Sequence, residues 1–251
     1  MHFKTTLFLL FLFTAAPLKI WALTILIDPG HGGEDRGALG GTNKKLITEK
    51  DLTLIYAKKI FRKLKNKKHQ VFLTRSLDRS VSLNERAELA DKIKADLFIS
   101  IHINSSKRKS SQGFEIFYLD NHSDVAVKKV EEVENKDLKG EALVINQILT
   151  DLVIERTAKK SKKLAASIYK HIRKPLADEY KMKDRGVKPG LFYVLALTKR
   201  PAVLIEIGFI SNARELRKMM SRGFQETYTT NVVKGIEEFI KGVKRKDPAL
   251  F

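Results

Sequence analysis

Ile25-Leu26-Ile27-Asp28-Pro29-Gly30-His31-Gly32-Gly33 is an apolar strand that stops abruptly at a proline and a glycine-flanked histidine, with a carboxylate just before them. Pro29 and the glycines end the strand and let the backbone come close to whatever sits there, so the His31 imidazole is expected to project from the strand's carboxyl end into a cleft. Leu97-Phe98-Ile99-Ser100-Ile101-His102-Ile103-Asn104 repeats the arrangement, an apolar strand with a histidine near its end. In an open α/β sheet the carboxyl ends of the strands are where ligands bind. Two histidines so placed suggest a metal.

Outward from these strands the chain alternates strand and helix. Thr48-Glu49-Lys50-Asp51 opens a helix with Thr48 as its cap and Leu54, Ala57, Phe61 and Leu64 as its apolar stripe. Gln70 to Thr74 reads as a strand, and Ser82-Leu83-Asn84-Glu85 is a capping box for a second helix that leads to the strand of His102. This β-α-β-α-β order predicts a single α/β domain with a parallel sheet covered by helices. A glycine-rich loop is expected up to about Ile47, and further strands at Gly113–Leu119, near Leu191–Leu195 and over Ala202–Ile210. Helices are expected over 142–154 and 161–173 and from about Ala213 and Gln225, and the charged stretch 123–154 reads as an insertion.

Of the 251 residues, the first carry Lys4, the apolar run Leu7 to Phe13 and small residues at Ala15, Ala16 and Ala22, the pattern of a secretory signal. Residues 1–22 are therefore expected to be a signal and 23–251 the exported domain, an uncleaved anchor reaching Trp21 being the alternative. There is no cysteine, which rules out disulfides, thiolate catalysis and cysteine-bound zinc, so any metal must use histidine and carboxylates. The formal charge is +19, and removing Lys4 and Lys19 with the signal leaves +17. Such a charge seeks polyanions. No aromatic-interleaved basic motif points to nucleic acid, so an exported chain is expected to meet an anionic wall or envelope polymer, unless the charge serves solubility alone.

Glu206 stands inside the apolar run Ala202-Val203-Leu204-Ile205-Glu206-Ile207-Gly208-Phe209-Ile210. An unpaired carboxylate there costs several kcal/mol and is driven toward its neutral form. Glu206 is thus either half of a buried ion pair with a lysine or arginine, or a general acid/base in the cleft of the two histidines. A catalytic zinc needs a third protein ligand and an open position. Glu49, 18 residues after His31, is a candidate, and Glu34, Asp35 and Asp28 are also near. His2, His69, His122 and His171 are expected to be ordinary surface residues.

Asp28-Pro29-Gly30-His31-Gly32-Gly33, Thr48-Glu49-Lys50-Asp51, Ser100-Ile101-His102-Ile103-Asn104 and Ile205-Glu206-Ile207-Gly208-Phe209-Ile210-Ser211-Asn212, in that order, resemble the four motifs of the zinc-dependent N-acetylmuramoyl-L-alanine amidases, the type 3 amidases of bacterial cell walls. The likeness runs from about Thr24 to Gly242. It implies one zinc per chain held by His31, Glu49 and His102, with Glu206 as catalytic acid/base. It also implies a mostly parallel twisted sheet with helices on both faces, in a monomer acting on peptidoglycan in the periplasm or cell wall. The 123–154 segment resembles the regulatory insertion of division-associated members, in which a glutamate plugs the zinc until a protein activator moves it. Glu134 is the nearest match there, with Glu131 or Glu132 as alternatives, and the chain is expected to work without the separate wall-binding domain that many relatives carry.

Two other readings compete. One is a degenerate amidase fold that only binds wall or activates another enzyme. The other is an added penicillin-sensitive serine carboxypeptidase activity, for which Ser167-Ile168-Tyr169-Lys170 and Ser106-Lys107-Arg108-Lys109 offer S-x-x-K matches, Ser82-Leu83-Asn84 an S-x-N match, and no K-T-G exists.

Overall fold

The computed structural model describes residues 23–246 except 43–44, 68 and 137–140, so the segment read as a secretory signal lies outside the described residues. The chain begins with strand β1 (Thr24–Pro29), a hairpin of β2 (Leu39–Thr42) and β3 (Lys45–Thr48), helix α1 (Glu49–Lys65), β4 (Gln70–Leu73), α2 (Leu83–Lys92) and β5 (Leu97–Asn104). Then come β6 (Phe114–Leu119), α3 (Val125–Glu134), α4 (Glu141–Lys174), a π-helical turn at Pro175–Glu179, β7 (Asp184–Gly190), α5 (Tyr193–Thr198), β8 (Ala202–Phe209), α6 (Ala213–Met220) and α7 (Arg222–Lys246).

Six strands form one sheet in the order β4-β1-β5-β8-β6-β7. Every pairing is parallel except β6 with β8. The strands are apolar on both sides because both faces are covered. Ile25, Ile27, Ile99, Ile101, Val203 and Ile205 pack with residues of α1, α7 and the second half of α4. Leu26, Phe98, Phe117 and Leu204 point the other way and pack with Ala90 of α2, Val127 of α3 and Leu195 of α5. The same alternation sends Asp28, Ser100, His102, Glu115 and Glu206 to the second face. There β5 and β8 set His102 directly opposite Glu206, and β6 sets Glu115 opposite Glu206 from the other side.

The capping signals act as read: Thr48 Oγ1 accepts from Asp51 N, and Ser82 and Glu85 form a reciprocal capping box. The inward stripe of α1 is instead Leu52, Tyr56, Ala57, Ile60 and Leu64, rotated from the expected one, with Leu54 and Phe61 only half-buried. Three other expectations are corrected. The expected strand at Leu191–Leu195 is the entry to helix α5 and its first turn, and the strand is Asp184–Gly190. Its Gly186 and Pro189 read as a breaker, yet β7 is the last strand of the sheet, where proline is tolerated. The expected glycine-rich loop contains the β2–β3 hairpin, whose Gly40 lies so close to β8's end that a Cβ would fall 2.3 Å from Ile210 O. Finally, helices 142–154 and 161–173 are one helix, α4, of 34 residues. The Arg156–Lys160 stretch between them is made largely of good helix formers, so the segment 123–154 shares a helix with the core.

Candidate metal centre

His31 has a left-handed backbone, φ 59°, a conformation that costs a non-glycine residue on the order of 1 kcal/mol and needs surroundings that enforce it. Two buried arginines do so. Arg75 donates from Nε to Pro29 O at 3.0 Å and from Nη2 to Gly30 O at 2.8 Å. Arg86 donates to Pro29 O and His31 O, both at 3.1 Å, and to the Asp28 carboxylate. Asp28 also accepts from Thr74 Oγ1 at 2.6 Å and Ser100 Oγ at 2.8 Å. Burial alone would raise its pKa, but Arg86 and these hydroxyls outweigh it and hold the carboxyl below the usual carboxylate range. Asp28 therefore secures the loop and is not among the converging groups. Nothing in the sequence singled out Arg75 and Arg86 among so many cations.

Four side chains converge at the strand ends: one ligand atom each from His31, Glu49, His102 and Glu134 lies within 4.8 Å of the others, the one such group among the described residues. Glu49 Oε1 is 3.1 Å from His31 Nε2 and 3.3 Å from His102 Nδ1, and Glu134 Oε2 is 2.8 Å from His102 Nδ1 and 3.8 Å from His31 Nε2. Both nitrogens are buried and neither finds a hydrogen-bond partner among the described residues. Buried nitrogens crowded by two carboxylates make a donor set that could hold a metal cation. His31 Nδ1 meets Asp35 Oδ2 at 2.7 Å, a carboxylate behind the ring that fixes its tautomer. Glu49 is fixed in turn: its oxygens accept from Ile103 N and Ala38 N, each at 2.8 Å. Gly30 and Gly37 cannot be larger, since a Cβ on Gly30 would sit 2.5 Å from the His102 ring and one on Gly37 would sit 2.6 Å from His31 Cδ2.

The candidates that spacing left open are thereby separated. Glu49 joins the group, Asp35 stands behind His31, Asp28 is consumed by Arg86, and Glu34 joins neither. Glu206 is 1% exposed and both of its oxygens lack a partner among the described residues, so it is not half of a buried ion pair. Burial first, then the nearby Glu134 charge, pushes its pKa well above the usual value. The ordinary ion pair belongs to its neighbour: Glu115 accepts from Asn104 Nδ2, Arg185 Nε and Lys188 Nζ.

Burial would lower the His31 pKa, but Glu49 and Asp35 reverse that and push it up to about 9. A pKa raised on folding gives stability that is complete below the unfolded value near 6.5 and lost as the pH climbs through 9. Metal-free protein is therefore expected to lose about 3 kcal/mol between pH 6 and pH 10, measured by urea unfolding in chelator. Flat stability across that range would contradict a His31 held charged by Glu49 and Asp35.

α3 delivers Glu134 and is pinned at three points. Asp124 caps it through Ala126 N, Glu131 accepts from Leu191 N and meets His122 Nε2, and Asn135 bonds Leu191 O and Tyr193 N. His122, expected at the surface, is thus an inward latch with its side chain 4% exposed. His69 is likewise buried, accepting from Leu23 N and meeting Glu237 at 2.7 Å. Both were misplaced by sequence alone because their partners are distant or on another element. His171 does lie on the outside, paired with Glu238, and His2 lies outside the described residues.

The serine candidates have structural work. Ser167 Oγ donates to Gly235 O while Lys170 meets Glu238, Ser106 Oγ accepts from Arg108 N, and Ser82 caps α2. None has a hydrogen-bonded base among the described residues.

A family model described as N-acetylmuramoyl-L-alanine amidase matches residues 25–238. The chain is similar to the N-acetylmuramoyl-L-alanine amidase AmiA of Escherichia coli, 34% identical over 221 residues that cover 84% of this chain and 74% of that protein. Among solved structures it resembles the catalytic domain of CwlV, an N-acetylmuramoyl-L-alanine amidase from Bacillus (Paenibacillus) polymyxa, with a TM-score of 0.61, 30% identity and coverage of 87% of this chain and 98% of that one. It also resembles the CwlD amidase of Clostridioides difficile, solved in complex with the GerS lipoprotein, with a TM-score of 0.67, 26% identity and coverage of 88% and 99%.

Proposed function

The chain belongs to the N-acetylmuramoyl-L-alanine amidase family, and on that premise we propose that it works as an exported zinc enzyme whose free form is held shut by Glu134. The reaction is hydrolysis of the amide between N-acetylmuramic acid and L-alanine in peptidoglycan. The observation that carries the metal reading is the pair of buried, unsatisfied histidine nitrogens facing two carboxylates. In this reading His31, Glu49 and His102 hold one zinc per chain. Bound there, zinc supplies Lewis acidity toward water and toward the scissile carbonyl.

The protein's own part is proton handling and positioning. Glu206 faces His102 across the β5–β8 pairing and has a raised pKa, which suits a group that must take a proton from attacking water and hand it to the leaving nitrogen. The nitrogen needs that proton because an amide anion is a poor leaving group. Asp35 and the Ile103 and Ala38 amides keep His31 and Glu49 oriented. All these side chains come from one chain, so a monomer suffices, and a complete set argues against a degenerate fold that only binds. Metal analysis tests the assignment: about one zinc per chain is expected, and full activity in a metal-free preparation would end it.

Glu134 completes the group of four, and we read it as the plug of the open position. The enzyme is then slow until a partner draws α3 away, a shift between closed and open populations. Val125 and Val133 are exposed on α3 and give a protein activator, acting on residues 123–154, an apolar hold. A closed state favoured by about 2 kcal/mol leaves a few per cent of molecules competent. Glu134→Ala is expected to speed peptidoglycan cleavage by roughly thirtyfold without a partner. An unchanged or lower rate in a folded, zinc-loaded variant would contradict the plug. Deleting residues 123–154 is a poorer test, since it would cut into α4.

The apolar run and small residues of 1–22 support export to the periplasm or wall, and no described helix is long and apolar enough to cross a membrane. The positive charge of the remaining chain suits an anionic polymer.

A further inference from the structure

We propose that Arg185 fixes the direction in which substrate lies in the cleft, by receiving the free α-carboxylate of the γ-linked glutamate that follows alanine in the stem peptide. The proposal rests on the amidase reading above and deepens it. Beside the metal centre lies a cleft of about 400 Å³ whose walls include Glu49, Asn104, Glu206, Phe209 and Arg185. It meets a second hollow of about 210 Å³, lined by Arg108, Ser110, Ser111, Gln112, Lys183 and Arg185. Arg185 and Ser111 belong to both.

The Arg185 guanidinium is held on three sides and open on the fourth. Nε donates to Glu115 at 3.0 Å. Its central carbon lies over the Phe209 ring, 5.2 Å from the centroid. Its stem runs across Gly113, where a Cβ would fall 2.8 Å from Arg185 Cγ. Nη1 and Nη2 have no hydrogen-bond partner among the described residues, leaving the bidentate edge that matches a carboxylate free.

The charge count gives the same result. The Glu115 carboxylate serves two cations, since Lys188 Nζ is also bonded to it at 2.7 Å. The other acid near Arg185, Glu215, spends its two oxygens on Gly113 N and Phe209 N, and burial raises its pKa, so the positive charge at the cleft wall is only partly compensated. The 210 Å³ hollow holds Arg108 and Lys183 and no acid. A substrate with a neutral sugar on one side of its scissile amide and a carboxylate-bearing peptide on the other is thus bound with the peptide toward Arg185.

The test uses soluble, uncross-linked peptidoglycan strands in two forms, with the α-carboxyl of that glutamate free or amidated. A charge-assisted pair in this setting predicts that the wild type cleaves the free form with kcat/KM about tenfold to a hundredfold higher, through KM. Arg185→Gln should bring the two forms to within a factor of about two, by lowering the rate on the free form far more than the rate on the amidated form, while zinc content stays unchanged. Lys188 and Asn104 remain on Glu115 to keep that variant folded. Arg185→Lys, which keeps charge but loses the fork, should retain part of the preference. Equal rates on both forms by the wild type, or an equal loss on both in Arg185→Gln, would overturn the proposal. Cleavage of neither form by zinc-loaded wild type and Glu134→Ala protein would instead overturn the amidase reading beneath it.

Discussion

Glu206→Gln is expected to lower the rate of peptidoglycan cleavage by 10² to 10⁴ while the variant keeps its zinc, the usual worth of a positioned acid/base. The substitution keeps the side chain's size and removes its ability to carry a proton. It breaks no hydrogen bond, because neither Glu206 oxygen has a partner among the described residues. Relieving a buried, unpaired carboxyl should leave the melting temperature unchanged or higher. The combination is diagnostic: a fall in rate with normal metal content and full stability assigns chemistry to Glu206. Loss of zinc together with activity would make it a ligand and overturn its acid/base role.

His102→Ala should act in the opposite order, metal first. His102 Nδ1 lies 2.8 Å from Glu134 Oε2 and 3.3 Å from Glu49 Oε1, and its ring lies against Gly30. Its loss removes one of three proposed ligands, so zinc affinity should fall by more than the 10- to 100-fold typical of an outer-shell change. Activity should fall in proportion to bound zinc, read by metal analysis beside peptide release. Retained zinc with lost activity would mean that His102 does something other than hold metal.

Much of this arrangement was legible in the sequence because its logic is local. A strand that ends in proline, glycine and histidine, and a second apolar strand that ends in histidine, announce a site at the strand ends whatever the rest of the chain does. Glu206 was conspicuous because a carboxylate inside an apolar run needs a reason. Spacing alone could not choose among Glu49, Asp35, Asp28 and Glu34. That choice depends on the β2–β3 hairpin, whose close approach to Ile210 no window of sequence records. It depends also on Arg86, which takes Asp28 out of contention from another element. Arg75 and Arg86 hold the His31 loop through backbone carbonyls, and carbonyls leave no trace in residue identity. β7 was missed because Gly186 and Pro189 look like breakers until the strand is known to end the sheet. The buried pairs of His69 with Glu237 and His122 with Glu131 were missed because nothing near either histidine in sequence reveals the partner's position.

The most direct test of a zinc amidase at this site is one digestion of purified, polymeric peptidoglycan by the zinc-loaded protein, with and without a chelator, followed by mass analysis of what is released. The account predicts free stem peptides bearing a new amino-terminal L-alanine and glycan strands that keep their length but lose their peptides, all abolished by the chelator and restored by added zinc. Muropeptides with sugar still joined to alanine, or the same release in a metal-free preparation, would contradict it.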